Sequence, residues 1–121
     1  MSDIIKKFNE ISLDFIKQTE QITGTSYVTK FKMITAVNCA TPINIYIENI
    51  LEYKELIYNK DDDFFININF NNSYMNYFTD FPKMKKIFHT LDNATKEGIW
   101  DYMQALTYLA ENRYNNKNLS I

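Results

Sequence analysis

Apolar residues recur every three or four positions along four segments, and this spacing is the strongest constraint on the fold. The segments are residues 2–23, residues 41–58, the stretch after Asp80, and a last stretch that ends near Tyr114. Because an α-helix turns once every 3.6 residues, each apolar set lies on one face of a helix. The sequence therefore predicts a mainly α protein, a single-domain bundle of four to five helices.

Residues that favour helix ends lie at the borders of these segments. Pro42 and Pro82 suit the first turn of a helix, where the missing backbone N–H has no partner to lose. Small polar residues accept hydrogen bonds from the first free N–H groups, and glycine ends a helix readily. The expected cap and stop residues are Ser2, Asp3, Gly24, Thr41, Asp80, and Asn93 or Thr95.

Two segments leave more than one conformation open. In residues 26–40, Tyr27, Phe31 and Ile34 fit a helix, whereas lysines alternating with apolar residues fit a strand; we favour helix because both neighbours are helical. In residues 64–78, alternation of apolar and polar residues predicts a short β-hairpin, and an extended segment over the helices is the alternative.

Length and composition indicate one domain over residues 1–114, followed by a flexible polar tail over residues 115–121. The net charge is −2 and is spread evenly, so no strongly basic face is expected for nucleic acid. Neither a signal peptide nor an apolar run long enough to span a membrane is found, and the single Cys39 suits a reducing compartment. We therefore expect an intracellular protein.

The residues needed for most catalytic and metal sites are scarce. Two glycines cannot build a phosphate-binding or dinucleotide loop, and one histidine with one cysteine cannot build a common structural zinc site. A Cys39–His89 pair is formally possible, since such pairs are defined by position in space, but both residues lie in predicted helices, and Asp61 and Asp63 lie in a polar loop. The sequence predicts no catalytic residue, no cofactor and no metal.

Two sets of residues are candidates for binding. Trp100 lies at the edge of the last apolar stripe, so we expect it to cover the rim of the core, with interface contact as the alternative. Tyr108 points to the side of the helix opposite the apolar stripe. Tyr108 and Tyr114 are the other interaction candidates. The only basic cluster, a candidate phosphate patch, comprises Lys83, Lys85 and Lys86.

The run Thr95-Lys96…Ile99-Trp100-Asp101-Tyr102-Met103-Gln104, with Ile87-Phe88 before it, resembles small uncharacterised proteins of nucleocytoplasmic large DNA viruses of the mimivirus and algal-virus kind. The resemblance covers roughly residues 45–110. In that family a lysine stands at the place of Asp101 and a leucine at that of Met103. Asn, Ile, Lys, Phe and Tyr make up 61 of the 121 residues, a composition typical of an A/T-rich genome.

The resemblance implies an intracellular viral protein, in the host cytoplasm or the virion, and brings no catalytic residue with it. We therefore expect a non-enzymatic interaction or structural module, either a virion component or a modulator of a host protein. The alternatives are a nucleic-acid-associated accessory factor for viral transcription or the viral genome, and a viral Bcl-2-like regulator. The expected partner is a protein, nucleic acid is not expected, and self-association is left open.

Overall fold

The computed structural model describes residues 3–68 and 78–119, and within them the protein is mainly helical, as the sequence predicts. Short 3-10 turns cover Leu51–Tyr53 and Phe88–Thr90. No strand is assigned in these two ranges. The α-helices are α1 (Asp3–Thr23), α2 (Val28–Val37), α3 (Thr41–Asn49), α4 (Lys54–Tyr58), α5 (Asp63–Asn67), α6 (Phe81–Ile87) and α7 (Asn93–Leu119).

The two long helices α1 and α7 pack against each other and form the framework of the fold. Helices α3 and α4 pack on α7, and α5 joins α4 to α6. Helix α2 lies at one side, in contact with α1 and α3. Helices α1, α3 and α7 bury apolar stripes against their neighbours, which is the main source of helix stability in a folded protein, whereas α2 buries only Phe31.

Aromatic rings fill much of the core between these helices. Phe8 and Tyr46 both make edge contacts with Phe78, with ring centroids 6.2 and 5.7 Å apart. A second group surrounds Trp100, and its three partners are Phe64, Phe65 and Phe88, at 6.2, 5.7 and 5.5 Å. Edge-to-face packing of this kind adds about 0.5–1.5 kcal/mol per pair beyond burial.

The helix that the sequence predicts over residues 41–58 is interrupted. Helix α3 ends at Asn49, a 3-10 turn follows, and α4 begins at Lys54. The prediction of one continuous helix was wrong because the apolar spacing runs through the break and contains no glycine or proline to mark it. The predicted cap at Thr41 was also wrong: Ala40 is the cap residue, and no side chain caps the helix.

The predicted hairpin strand beginning at residue 64 was wrong as well, because α5 occupies Asp63–Asn67. Phe64 and Phe65 are adjacent in sequence, and both side chains are buried. In a strand, neighbouring side chains point to opposite faces, so only one of the two could face the core, whereas a helical turn can bury both. The predicted turn over 71–73 and most of the return strand over 74–78 lie outside the described residues.

The ends of the later helices combine a confirmed prediction with two corrections. Asp80 caps α6, accepting a hydrogen bond from the Lys83 backbone N–H at 3.1 Å. Helix α7 is capped by Asp92, whose carboxylate accepts from the Thr95 backbone N–H at 2.7 Å, and not by Asn93 or Thr95. It also continues to Leu119, beyond its predicted end near Tyr114, while the predicted flexibility of residues 115–121 stays a prediction.

Candidate interaction surface on helix α2

Helix α2 exposes two large apolar side chains on its outer side. Met33 is 66% exposed and Val37 is 90% exposed, whereas only Phe31 of this helix is buried. Met33 and Val37 are one turn apart and about 40° from each other around an ideal helix, so they form a short stripe. We call this stripe, together with Lys30, Lys32 and Ala36, the α2 face.

Isolated apolar residues on a protein surface are ordinary, so the spacing of these two matters more than their exposure. Six large hydrophobic side chains are exposed among the described residues: Met33, Val37, Tyr58, Ile66, Tyr108 and Tyr114. Met33 and Val37 are the pair that lies one turn apart on a single helix. Hydrophobic anchors at this spacing are the usual contacts of a helix that binds another chain.

Side-chain hydrogen bonds hold both ends of α2 to the rest of the molecule. Before the helix, the Thr25 hydroxyl donates to the Asp80 carboxylate at 3.1 Å. After the helix, the Asn9 amide donates to the Cys39 carbonyl at 2.9 Å, which ties the α2–α3 connection to α1. The helix is therefore fixed at each end and through Phe31, and its outer face is presented on a positioned element.

A groove lies beside α2, on the side that faces α1. Its volume is about 300 Å³, and its lining combines apolar side chains with two lysines and one glutamate, Glu10. Helix α2 contributes Phe31, Lys32 and Thr35, and α1 contributes Leu13 among others. Lys32 belongs both to the groove and to the α2 face, so a ligand seated on the face lies next to this groove.

The segment of sequence that contains α2 has no acidic residue, although Glu10 of α1 and Asp80 lie near it in the fold. From Gln21 to Ile47 the sequence contains no aspartate or glutamate, and its only charged residues are Lys30 and Lys32. This stretch therefore has a formal charge of +2 in a chain of net charge −2, which leaves −4 on the remainder. Lys30 also stacks over the Tyr27 ring, with its Nζ 5.9 Å from the centroid.

Tyr27 precedes the first residue of α2 and has a raised pKa. Partial burial is the larger cause, and the negative charge of Asp80 is the second, since both disfavour the phenolate. Tyr27 therefore stays neutral at physiological pH.

The predicted interaction residues of α7 do not form one surface. Trp100 is only 2% exposed, so the expectation that it covers the rim of the core with a solvated edge was wrong; it is part of the core. Tyr108 and Tyr114 are exposed, but on an ideal helix they are about 120° apart and about 9 Å apart along the axis. Their binding role stays a prediction.

The three lysines of the predicted phosphate patch are exposed on α6. Lys83 and Lys86 lie about 60° apart on an ideal helix, but Lys85 is about 160° from Lys83, so the three do not converge on one point. Lys96 lies elsewhere, 3.8 Å from the Asp62 carboxylate and over the Phe88 ring. No arrangement that would hold one phosphate follows from these positions.

A second groove runs between α1 and the first half of α7. It has a volume of about 250 Å³, with Phe15, Ile22 and Tyr102 as its main apolar lining and threonine and glutamine side chains among the rest. The same Tyr102 and Gly98 line a neighbouring, shallower depression of about 410 Å³. Nothing among the described residues indicates what would occupy this groove.

The residues considered for catalysis are dispersed. Cys39 lines the groove beside α2, whereas the recorded neighbours of His89 are Asp62, at 3.8 Å from its Nδ1, and the Phe88 ring. Over residues 3–68 and 78–119, no three histidine, cysteine or carboxylate side chains form a group that could hold a metal ion. No helix in those ranges is long and apolar enough to cross a membrane.

Comparisons with known proteins identify no relative of this chain. No protein-family model matches the chain, and neither the curated proteins nor the solved structures include a significant match.

The α2 face was not predicted from the sequence, although the sequence contains two signals for it. The first is that Phe31, Met33, Ile34 and Val37 spread over about 160° of an ideal helix, wider than the apolar stripe of about 100° that a core-facing helix needs. The second is the absence of carboxylates from Gln21 to Ile47. Either signal indicates a helix whose outer side differs from an ordinary solvated face.

Proposed function

We propose that this chain is a non-enzymatic protein-interaction module that binds its partner through the α2 face. The observation that carries the proposal is the exposed pair Met33 and Val37, one turn apart on a helix fixed at both ends. Exposed anchors on a pre-positioned element bind with little loss of conformational entropy, which favours a binding role.

We also propose that the protein comes from a large DNA virus. There it acts as a virion component or on a host protein. The support for this proposal is the resemblance around Thr95–Gln104, together with the A/T-rich composition. The nucleic-acid alternative would depend on Lys83, Lys85 and Lys86, which do not converge, and no residue supports the Bcl-2-like alternative. We therefore propose neither of them.

Site-specific photo-crosslinking tests the proposed function. A benzophenone side chain is placed at Val37 in one version of the full chain and at Tyr108 in another, because both positions are exposed. The protein that crosslinks from position 37 is identified, produced in pure form and titrated against the chain. We expect saturable binding that Met33→Ser/Val37→Ser weakens by at least about tenfold, or about 1.4 kcal/mol.

The control is Tyr108→Ser, which removes an exposed apolar side chain of α7 and should leave the affinity unchanged. Crosslinks that form from position 108 and not from position 37 would contradict the proposal. So would a purified partner whose affinity is the same for the wild-type chain and for Met33→Ser/Val37→Ser. Circular dichroism of each variant confirms that the helices are intact.

A further inference from the structure

Met33 brings a thioether sulfur to the α2 face, and this sulfur is open to oxidants dissolved in the solvent. The residue is 66% exposed, whereas Met84 and Met103, the other two methionines of the described ranges, are 0% and 1% exposed. Because the oxidation of methionine follows the exposure of its sulfur, a mild oxidant should modify Met33 and leave the two core methionines reduced.

We infer that the α2 face is a redox-sensitive binding surface, which oxidation of Met33 to the sulfoxide switches off; this inference rests on the proposed function. Hydrogen peroxide transfers one oxygen atom to the thioether: an S–O bond forms, the O–O bond breaks, the sulfur loses two electrons and the peroxide is reduced to water. An apolar side chain becomes a polar one. A partner that had fitted the thioether then buries an unpaired sulfoxide oxygen, and the burial of an unpaired polar group weakens binding.

The effect of oxidation is local, because α2 does not depend on Met33 for its position. Phe31 holds the helix to the core, and the hydrogen bonds donated by Thr25 and Asn9 hold its two ends. None of these contacts involves the Met33 side chain. Oxidation should therefore change the polarity of the α2 face and leave the helices in place, which distinguishes a switch from damage to the core.

Oxidation removes one of the two anchors of the α2 face and leaves the other. Val37 is 90% exposed and has a saturated hydrocarbon side chain, which dilute peroxide does not modify. A partner that loses one anchor is weakened, and a partner that loses both is weakened more. We therefore expect the sulfoxide to lower the affinity by at least about fivefold, and by less than Met33→Ser/Val37→Ser does.

Titration of a peptide against the reduced and the oxidised chain tests the inference. The probe is a synthetic helical peptide of about 16 residues, selected on the reduced full-length chain from a displayed library with apolar residues fixed at i, i+3, i+4 and i+7. Peptides that also bind Met33→Ser/Val37→Ser are discarded. Dilute peroxide is added until mass spectrometry finds one added oxygen at Met33. The affinity should fall, and it should return after methionine sulfoxide reductases and dithiothreitol remove that oxygen as water.

Substitutions at positions 33 and 39 supply the matched controls. Met33→Leu is apolar and has no sulfur, so peroxide should leave its affinity for the peptide at the value measured before treatment. This variant retains Met1 and Met75, which lie outside the described residues, and so reports on their oxidation as well. Cys39 lines the groove beside α2 and is partly exposed, and Cys39→Ser should show the same fall and recovery as the wild type.

The outcomes separate this inference from the proposed function. Equal affinities of the reduced chain and of the chain with a sulfoxide at Met33 would overturn the inference and leave the α2 face as a docking surface. A loss of the same size in peroxide-treated Met33→Leu would assign the effect to another residue and overturn it too. Loss of helix on oxidation, measured by circular dichroism, would do the same. A library that yields no peptide dependent on Met33 and Val37 would overturn both the inference and the proposed function.

Discussion

Replacing Trp100 with alanine is the sharpest test of the core. The side chain is 2% exposed and contacts the rings of Phe64, Phe65 and Phe88, so its removal empties the centre of an aromatic cluster. Truncation of a buried tryptophan to alanine costs about 3–5 kcal/mol, because burial energy is lost and a cavity remains. A domain is stable by about 5–15 kcal/mol in total, so this loss is a large part of its stability.

Urea unfolding followed by circular dichroism measures the change, since fluorescence is lost with the only tryptophan. Tyr108→Ala is the control, because that side chain is 60% exposed and its removal should cost less than about 1 kcal/mol. Trp100→Phe keeps a ring and stays measurable if the alanine variant does not fold. A loss below about 1 kcal/mol for Trp100→Ala, or an equal loss for both alanine variants, would refute the reasoning.

Three further substitutions test individual contacts. Tyr46→Phe should lower the free energy of unfolding by about 1–2 kcal/mol, because the buried Tyr46 hydroxyl lies 2.7 Å from the Thr107 hydroxyl. In a double-mutant cycle with Thr107→Val, the two losses should not be additive. Glu111→Gln should lower the free energy of unfolding by under about 1 kcal/mol at neutral pH. The reason is that Lys54 and Tyr58 donate hydrogen bonds to the Glu111 carboxylate and lower its pKa. This stabilisation is present above the pKa that Glu111 has in the unfolded chain, and it disappears as the pH falls through the lower pKa of the folded state. The free energies of unfolding of the variant and the wild type, measured by urea melts, should therefore converge in acid. Asp92→Ala should lower the melting temperature, because Asp92 caps α7, and an unchanged melting temperature would contradict that assignment.

The sequence predicted the helices that have a complete apolar stripe and a polar start signal. Helix α1 ends where Gly24 takes a positive φ of 75°, and α6 begins at the cap supplied by Asp80. Local patterns were sufficient there because the buried face and the end signals agree. The break after Asn49 and the helix at Phe64 were not predicted, because packing against α7 and between the aromatic rings decides them.

The candidate surface was harder to predict than the fold. Sequence periodicity indicates which residues share a face of a helix, but it does not show whether another element covers that face. Among the residues that the structure describes, no helix covers Met33 and Val37 of α2, whereas three aromatic rings cover Trp100 of α7. The tryptophan was therefore considered for an interface while the exposed stripe was not.

Methionine oxidation tests the central claim, that the α2 face is exposed and binds a partner, most directly. Met33 is 66% exposed, whereas Met84 and Met103 are buried, so dilute peroxide should oxidise Met33 before Met84 and Met103. Mass spectrometry of the free chain should show this order. Adding the purified partner should slow oxidation at Met33 and leave the rates at Met84 and Met103 unchanged. Slow oxidation of Met33 in the free chain, or an unaltered rate with the partner bound, would contradict the claim.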